Sequence, residues 1–89
     1  MLKPILISPV IYVLELEEGK IYVGITLNFN QRLAQHLSGE GAKWTRLYKP
    51  KKVLEIIFEN ATEQLEHETT LKYIELHGKE NVKGGFLTR

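Results

Sequence analysis

The sequence contains no cysteine, so a disulfide framework and a thiolate zinc site are both excluded, which suits a reducing cytoplasm and, in a bacterium, the nucleoid. Nor does it contain a long apolar run. The N-terminal patch Ile5-Leu6-Ile7 is far shorter than a signal-peptide core or a membrane span, and no membrane partner is expected. Histidine is scarce, and His36, His67 and His77 lack the spacing of a metal-ligand motif, which argues against zinc. Neither sign of charge dominates. A formal net charge of +1 excludes a protein that holds nucleic acid by bulk electrostatics alone.

What is present fits one small globular domain spanning residues 1–89. With 43% apolar and 26% charged residues, the chain is too polar for a membrane protein and too apolar for a disordered one. A domain of this size buries only roughly 60% of its unfolded surface, so its stability is marginal. No repeat, low-complexity tract or linker divides it. The charges are segregated: Lys43, Arg46, Lys49, Lys51 and Lys52 share a stretch without an acid, and Glu59, Glu63, Glu66 and Glu68 follow.

The periodicity predicts an α+β fold. Residues 10–16 and 20–26 are rich in β-branched and aromatic side chains and read as strands joined by Glu17-Glu18-Gly19. A type I turn closed by a left-handed Gly19 pairs Leu16 with Lys20, Leu14 with Tyr22 and Tyr12 with Gly24, which places Tyr12 and Tyr22 on one face. A loop one residue shorter would shift the register and part them. Asn28 is a cap for a helix over 29–38, in which Phe29, Leu33 and Leu37 form a buried row. Arg32 and His36 stand on the neighbouring row, at the border with solvent. Gly39 and Gly41 end that helix. Residues 41–50 read as a helical turn and loop, and 53–59 as a third strand.

A second long helix begins at Asn60 or Thr62 and runs to about Leu76, with Gly78 beyond its end. Along it Ala61, Leu65, Thr69, Lys72 and Leu76 cluster on one side, with Leu71 at the margin. Glu68 falls inside that stripe while Glu63 and Glu66 point away from it. Glu68 is therefore the acid that surface placement does not explain.

Taken in order, Val10-Ile11-Tyr12, Tyr22-Val23-Gly24-Ile25-Thr26, Arg32, His36 and Gly41-Ala42-Lys43-Trp44-Thr45-Arg46 resemble a GIY-YIG endonuclease domain over nearly the whole chain. The resemblance implies a small three-stranded antiparallel sheet flanked by helices. It also implies metal-dependent hydrolysis of DNA phosphodiesters, structure-directed or serving repair and recombination. By position, Tyr12 and Tyr22 match the two active-site tyrosines, Arg32 the arginine of the first helix, Glu68 the single metal-binding carboxylate and Asn81 the late asparagine. Val10 stands where the family has glycine.

The chemistry is coherent with those residue types. Hydrolysis needs an activated water, stabilisation of charge on phosphorus and a tolerable leaving oxygen. Mg2+ or Mn2+ on Glu68 serves the last, with water filling most of the shell. Arg32 supplies a planar, permanently charged fork for phosphate oxygens. A tyrosine with an ordinary pKa of about 10 is a poor base at neutral pH, so whichever of the two acts needs a nearby cation or His36. Gly24, inside a strand, leaves space beside Tyr12. The basic run Lys43 to Lys52, with Trp44 and Tyr48 interleaved, is expected to grip DNA phosphates without reading bases, joined by Asn81. The alternative is a non-catalytic DNA-binding or recruitment module with the same fold. Cutting both strands with one active site per chain calls for a homodimer, a larger protein partner or two encounters.

Overall fold

A computed structural model describes residues 7–85. Ile5 and Leu6 of the N-terminal apolar patch lie outside the described residues. Strand β1, Val10–Leu16, is a near-continuous apolar run, as a strand covered on both faces should be, and it takes a central place in the sheet. It pairs antiparallel with β2, Ile21–Thr26, and with β3, Pro50–Ile57. Pro50, which lacks a donor, sits at the first residue of β3, where none is needed.

The β1–β2 register sets Leu14 opposite Tyr22 and Tyr12 opposite Gly24, and the Leu16 N–H donates to the Lys20 carbonyl across 2.7 Å. The turn differs from the expected one. Glu18 (φ 60°) and Gly19 (φ 72°) are both left-handed, so the connection is a one-turn 3₁₀ segment with two positive φ values, and Glu18 carries the strain. Such turns follow the right-handed twist of the strands they join, which rewards Glu18 for an otherwise costly conformation.

Alternation along the strands sends Ile11, Val13, Ile21 and Val23 to one face and Tyr12, Leu14, Leu16 and Tyr22 to the other. Two helices cover the tyrosine face: α1, Phe29–Ser38, and the short α2, Lys43–Leu47. Asn28 Oδ1 accepts from the Gln31 N–H, and Gly39 closes α1 in the left-handed conformation. Of the expected apolar row, Phe29 and Leu33 pack against the tyrosines, but Leu37 is exposed; the fully buried residue of α1 is His36.

Helix α3, Glu63–His77, covers the opposite face, and Thr62 Oγ1 caps it through the Leu65 N–H. Its packed side is rotated from the expected one. Glu66, Thr69 and Thr70 are buried, Leu65, Tyr73 and Ile74 are half-buried, and Glu68, Leu71, Lys72 and Leu76 are exposed. The cause is local: the Thr69 and Thr70 hydroxyls donate to the Leu65 and Glu66 carbonyls one turn back, so both threonines enter the interior with their polarity satisfied.

The sheet has four strands, not three, in the order β3-β1-β2-β4, and it is mixed. β4, Val82–Gly84, runs parallel to β2 and pairs Ile21 with Val82, Tyr22 with Lys83 and Val23 with Gly84. Three residues ending in glycine carry almost no strand signal in the sequence. Close approach makes the strand possible, because a Cβ on Gly84 would lie 2.5 Å from the Val23 carbonyl oxygen and 2.8 Å from Thr70 Oγ1.

Candidate active site

The site forms where β1 and β2 present their tyrosines to α1 and α2. Tyr12 is buried, and its hydroxyl lies 2.8 Å from His36 Nε2. The other ring nitrogen, Nδ1, lies 2.9 Å from Thr45 Oγ1. Thr45 has one hydroxyl proton, which goes to the Ala42 carbonyl at 2.8 Å. Its oxygen must therefore accept from His36 Nδ1–H. That fixes the neutral imidazole with a lone pair on Nε2, and Tyr12 is the donor. Burial, and secondarily the Arg32 charge, lower the His36 pKa to about 4, so the ring is neutral at physiological pH.

Two glycines shape this chain of groups. A Cβ at Gly24 would overlap the Tyr12 hydroxyl, and one at Gly41 would overlap His36 Nδ1. The Tyr22 ring stands edge-on to His36, with centroids 5.2 Å apart, and 6.2 Å from the Tyr12 ring. Burial raises the pKa of Tyr12, as does Tyr22, while the Arg32 guanidinium opposes the shift. Arg32 is half-buried, and its Nη1 donates to Gln35 Oε1 across 2.9 Å. It opens with Tyr22, Ala42, Lys43, Trp44 and Lys83 onto a cleft of about 610 Å³.

The carboxylate that reaches this neighbourhood is Glu66, not Glu68. Glu66 is 4% exposed, and its charge acts on Tyr12. Glu68 is exposed and accepts from Gln64 Nε2 across 3.0 Å, one helical turn back. The rotation of α3 described above moves the two acids in opposite directions. Among the described residues no three histidine, aspartate or glutamate side chains converge as a metal cage. No carboxylate among the described residues lines the cleft itself; Glu66, whose charge reaches Tyr12, is the residue that would offer an oxygen to a hard cation such as magnesium.

The expected basic surface divides. Lys43 and Trp44 line the cleft, and the Trp44 indole donates to the Ile21 carbonyl across 3.0 Å, which ties it to β2. Arg46 and Lys49 are exposed. Lys51 and Lys52 turn to Glu15, at 3.5 and 3.8 Å, and do not join the cleft. Asn81 accepts from Lys20 Nζ and donates to the His77 carbonyl, both at 2.8 Å, so it fastens the end of α3. Thr45, Gly41, Glu66 and Lys83 are the residues that sequence reading missed. Nothing local in the sequence marks Lys83, whose place follows from the burial of Val82 and Gly84 on either side of it.

A tyrosine-bearing hairpin backed by an arginine and a histidine four residues apart on one helix is the layout of the GIY-YIG catalytic domain, an endonuclease fold. The chain belongs to that family, whose catalytic-domain model matches residues 8–82. It is 44% identical over 63 residues to a UPF0213 protein of Cupriavidus pinatubonensis, covering 70% of each chain. It is 33% identical over 79 residues to a UPF0213 protein of Halalkalibacterium halodurans, covering 84% of each. No solved structure gives a significant match. Among the described residues no helix is long and apolar enough to cross a membrane.

Proposed function

We propose that the protein is a divalent-metal-dependent endonuclease that hydrolyses DNA phosphodiester bonds. The observation that carries this reading is that Tyr22 and Arg32 line one cleft, with Tyr12 seated behind them on His36. Burial raises the Tyr12 pKa and lowers that of His36, so the Tyr12 proton stays on the phenol and the bond to Nε2 positions the ring. Tyr22, which lines the open cleft with Arg32, gives its proton to solvent and as the phenolate accepts one from the attacking water. Of the two tyrosines, Tyr22 is thus assigned to water activation. Tyr12, held by His36, backs the site from inside the sheet. Arg32 meets the non-bridging oxygens with two parallel donors.

Glu66 is assigned the metal, Mg2+ or Mn2+, in place of Glu68. Bound there, the cation would supply charge stabilisation at the scissile phosphate and at the leaving oxygen. DNA repair or recombination is the setting such an activity serves, and DNA is the partner.

The test is nicking of supercoiled, branched and linear DNA with magnesium or manganese by the wild type and by Glu66→Gln, Glu68→Gln and Arg32→Ala. Wild type and Glu68→Gln are expected to nick alike. Glu66→Gln and Arg32→Ala should lose roughly 100-fold or more, the scale on which single charge-stabilising groups act. Equal nicking by Glu66→Gln and wild type would remove Glu66 from the site. Binding without nicking by the wild type would leave the DNA-binding module as the correct reading.

A further inference from the structure

The fourth strand brings a cation to the cleft that neither the hairpin nor the first two helices provide. β4 pairs in parallel with β2, and Lys83 stands directly opposite Tyr22. Residues paired in register project to the same face of a sheet. The neighbours of Lys83, Val82 and Gly84, are buried, and Val82 belongs to the core under α3. Alternation therefore turns Lys83 to the tyrosine face. Its ammonium stands 5.5 Å from the centre of the Trp44 ring, and the residue lines the same cleft as Tyr22, Arg32 and Lys43.

Two further facts separate Lys83 from an ordinary surface lysine. First, its backbone is locked. Gly84 lies against Val23 and Thr70, and a Cβ on Gly85 would come 2.8 Å from the His67 Cα, so the strand is clamped between β2 and α3. Second, among the described residues no carboxylate forms an ion pair with it, whereas Lys51, Lys52 and Lys72 all have one. Lys20, the other cation over Trp44, is already engaged by Asn81 Oδ1. A cation held at a fixed place, unpaired by acid and facing a cleft that contains an arginine, is suited to a second anion one step from the first.

We infer that Lys83 binds a backbone phosphate adjacent to the scissile one, on a nucleic-acid strand that crosses the cleft between Tyr22 and Trp44. The inference rests on the proposed nuclease reading and deepens it. Arg32 addresses the reacting phosphate, and Lys83 fixes the register of the strand beside it. A lysine gives a point charge without base readout, so the contact adds affinity equally on all sequences. Its share appears in the salt dependence, because each neutralised phosphate contributes about 0.9 to the slope of log affinity against log salt for duplex DNA.

The experiment compares the wild type with Lys83→Met, Lys83→Arg and Lys72→Met, the last on the α3 face and paired with Glu55. Affinity for a fluorescent duplex is measured by anisotropy across a salt series, and nicking is measured for KM and kcat. Lys83→Met should lower the slope by about 0.9, so that between about 50 and 200 mM salt its affinity falls roughly 3.5-fold less than the wild type's. Its KM should rise with little change in kcat. Lys83→Arg should restore the slope, and Lys72→Met should match the wild type. If the lysine only props Trp44, Lys83→Met lowers the melting temperature and leaves slope and KM untouched, which overturns the inference while the nuclease reading stands. A wild type that neither binds nor nicks any of the DNAs overturns both.

Discussion

The Tyr12 hydroxyl donates to Nε2 of His36 across 2.8 Å, inside a layer where neither group meets bulk water. This contact makes His36 an acceptor, and the burial of the pair opposes protonation of the ring. The ring has a folded-state pKa of about 4 against an ordinary 6.5, through burial first and Arg32 second. The unfolded chain therefore binds a proton between those values that the folded chain refuses. Stability from this group is complete above pH 6.5 and is lost as pH falls towards 4, by up to roughly 3 kcal/mol at about 1.4 kcal/mol per unit. Urea denaturation of the wild type and His36→Gln at pH 7 and pH 4.5 measures it. The gap between the two proteins should narrow at the lower pH, and a constant gap would show that the ring charges as easily folded as unfolded.

Thr45 holds the ring in that accepting state. Replacing it with valine keeps the volume but leaves His36 Nδ1–H buried without an acceptor, at about 1–3 kcal/mol. The expected outcome for Thr45→Val is a shift in the His36 ring-nitrogen resonances away from the Nδ1–H tautomer, with nicking reduced about tenfold or more. Thr45→Ser should restore both. Unchanged ring-nitrogen shifts in Thr45→Val would show that the tautomer has another determinant.

The hairpin was legible because its signal is periodic: alternation and one glycine suffice to pair Tyr12 with Gly24. The packed side of α3 was not, for a definite reason. Hydrophobic periodicity places Leu76 and, at the margin, Leu71 on the packed side and leaves Thr70 out, yet Thr69 and Thr70 both satisfy their hydroxyls on the helix backbone and go inside. Rotating the stripe by that error exchanges Glu66 for Glu68. β4 was invisible because its pairing is set by what glycine permits at Val23 and Thr70, a relation between distant segments that no local window contains. Lys51 and Lys52 looked like part of one basic surface because Glu15, which holds them, lies 36 and 37 residues earlier in the chain.

Gly24 tests the close packing behind the tyrosine. An alanine methyl there would occupy the space of the Tyr12 hydroxyl and ring carbons, so either the strand or the ring must move. Overpacking of this kind costs about 1–3 kcal/mol, and each kcal/mol is worth roughly 4–8 °C in a domain this small. Gly24→Ala is expected to melt several degrees below the wild type and to nick poorly even at temperatures where it remains folded. A melting temperature equal to the wild type's would mean that Tyr12 is less tightly seated on β2 than the geometry requires.

Gly84 controls whether β4 docks at all. An alanine methyl at that position meets the Val23 carbonyl oxygen, the Val23 Cβ and Thr70 Oγ1, none of which is the free end of a long side chain. The strand should lift away from β2, and two consequences follow from the sheet order. Lys83 leaves the cleft, so Gly84→Ala should show the reduced salt slope of Lys83→Met although its lysine is intact. The backbone of β2 also loses its cover and presents an unpaired edge, the kind of surface on which chains associate. Sedimentation at increasing protein concentration should then reveal self-association of Gly84→Ala beyond that of the wild type. If the variant keeps both the wild-type slope and the wild-type sedimentation, β4 tolerates the methyl, and the glycine is not what holds the fourth strand in place.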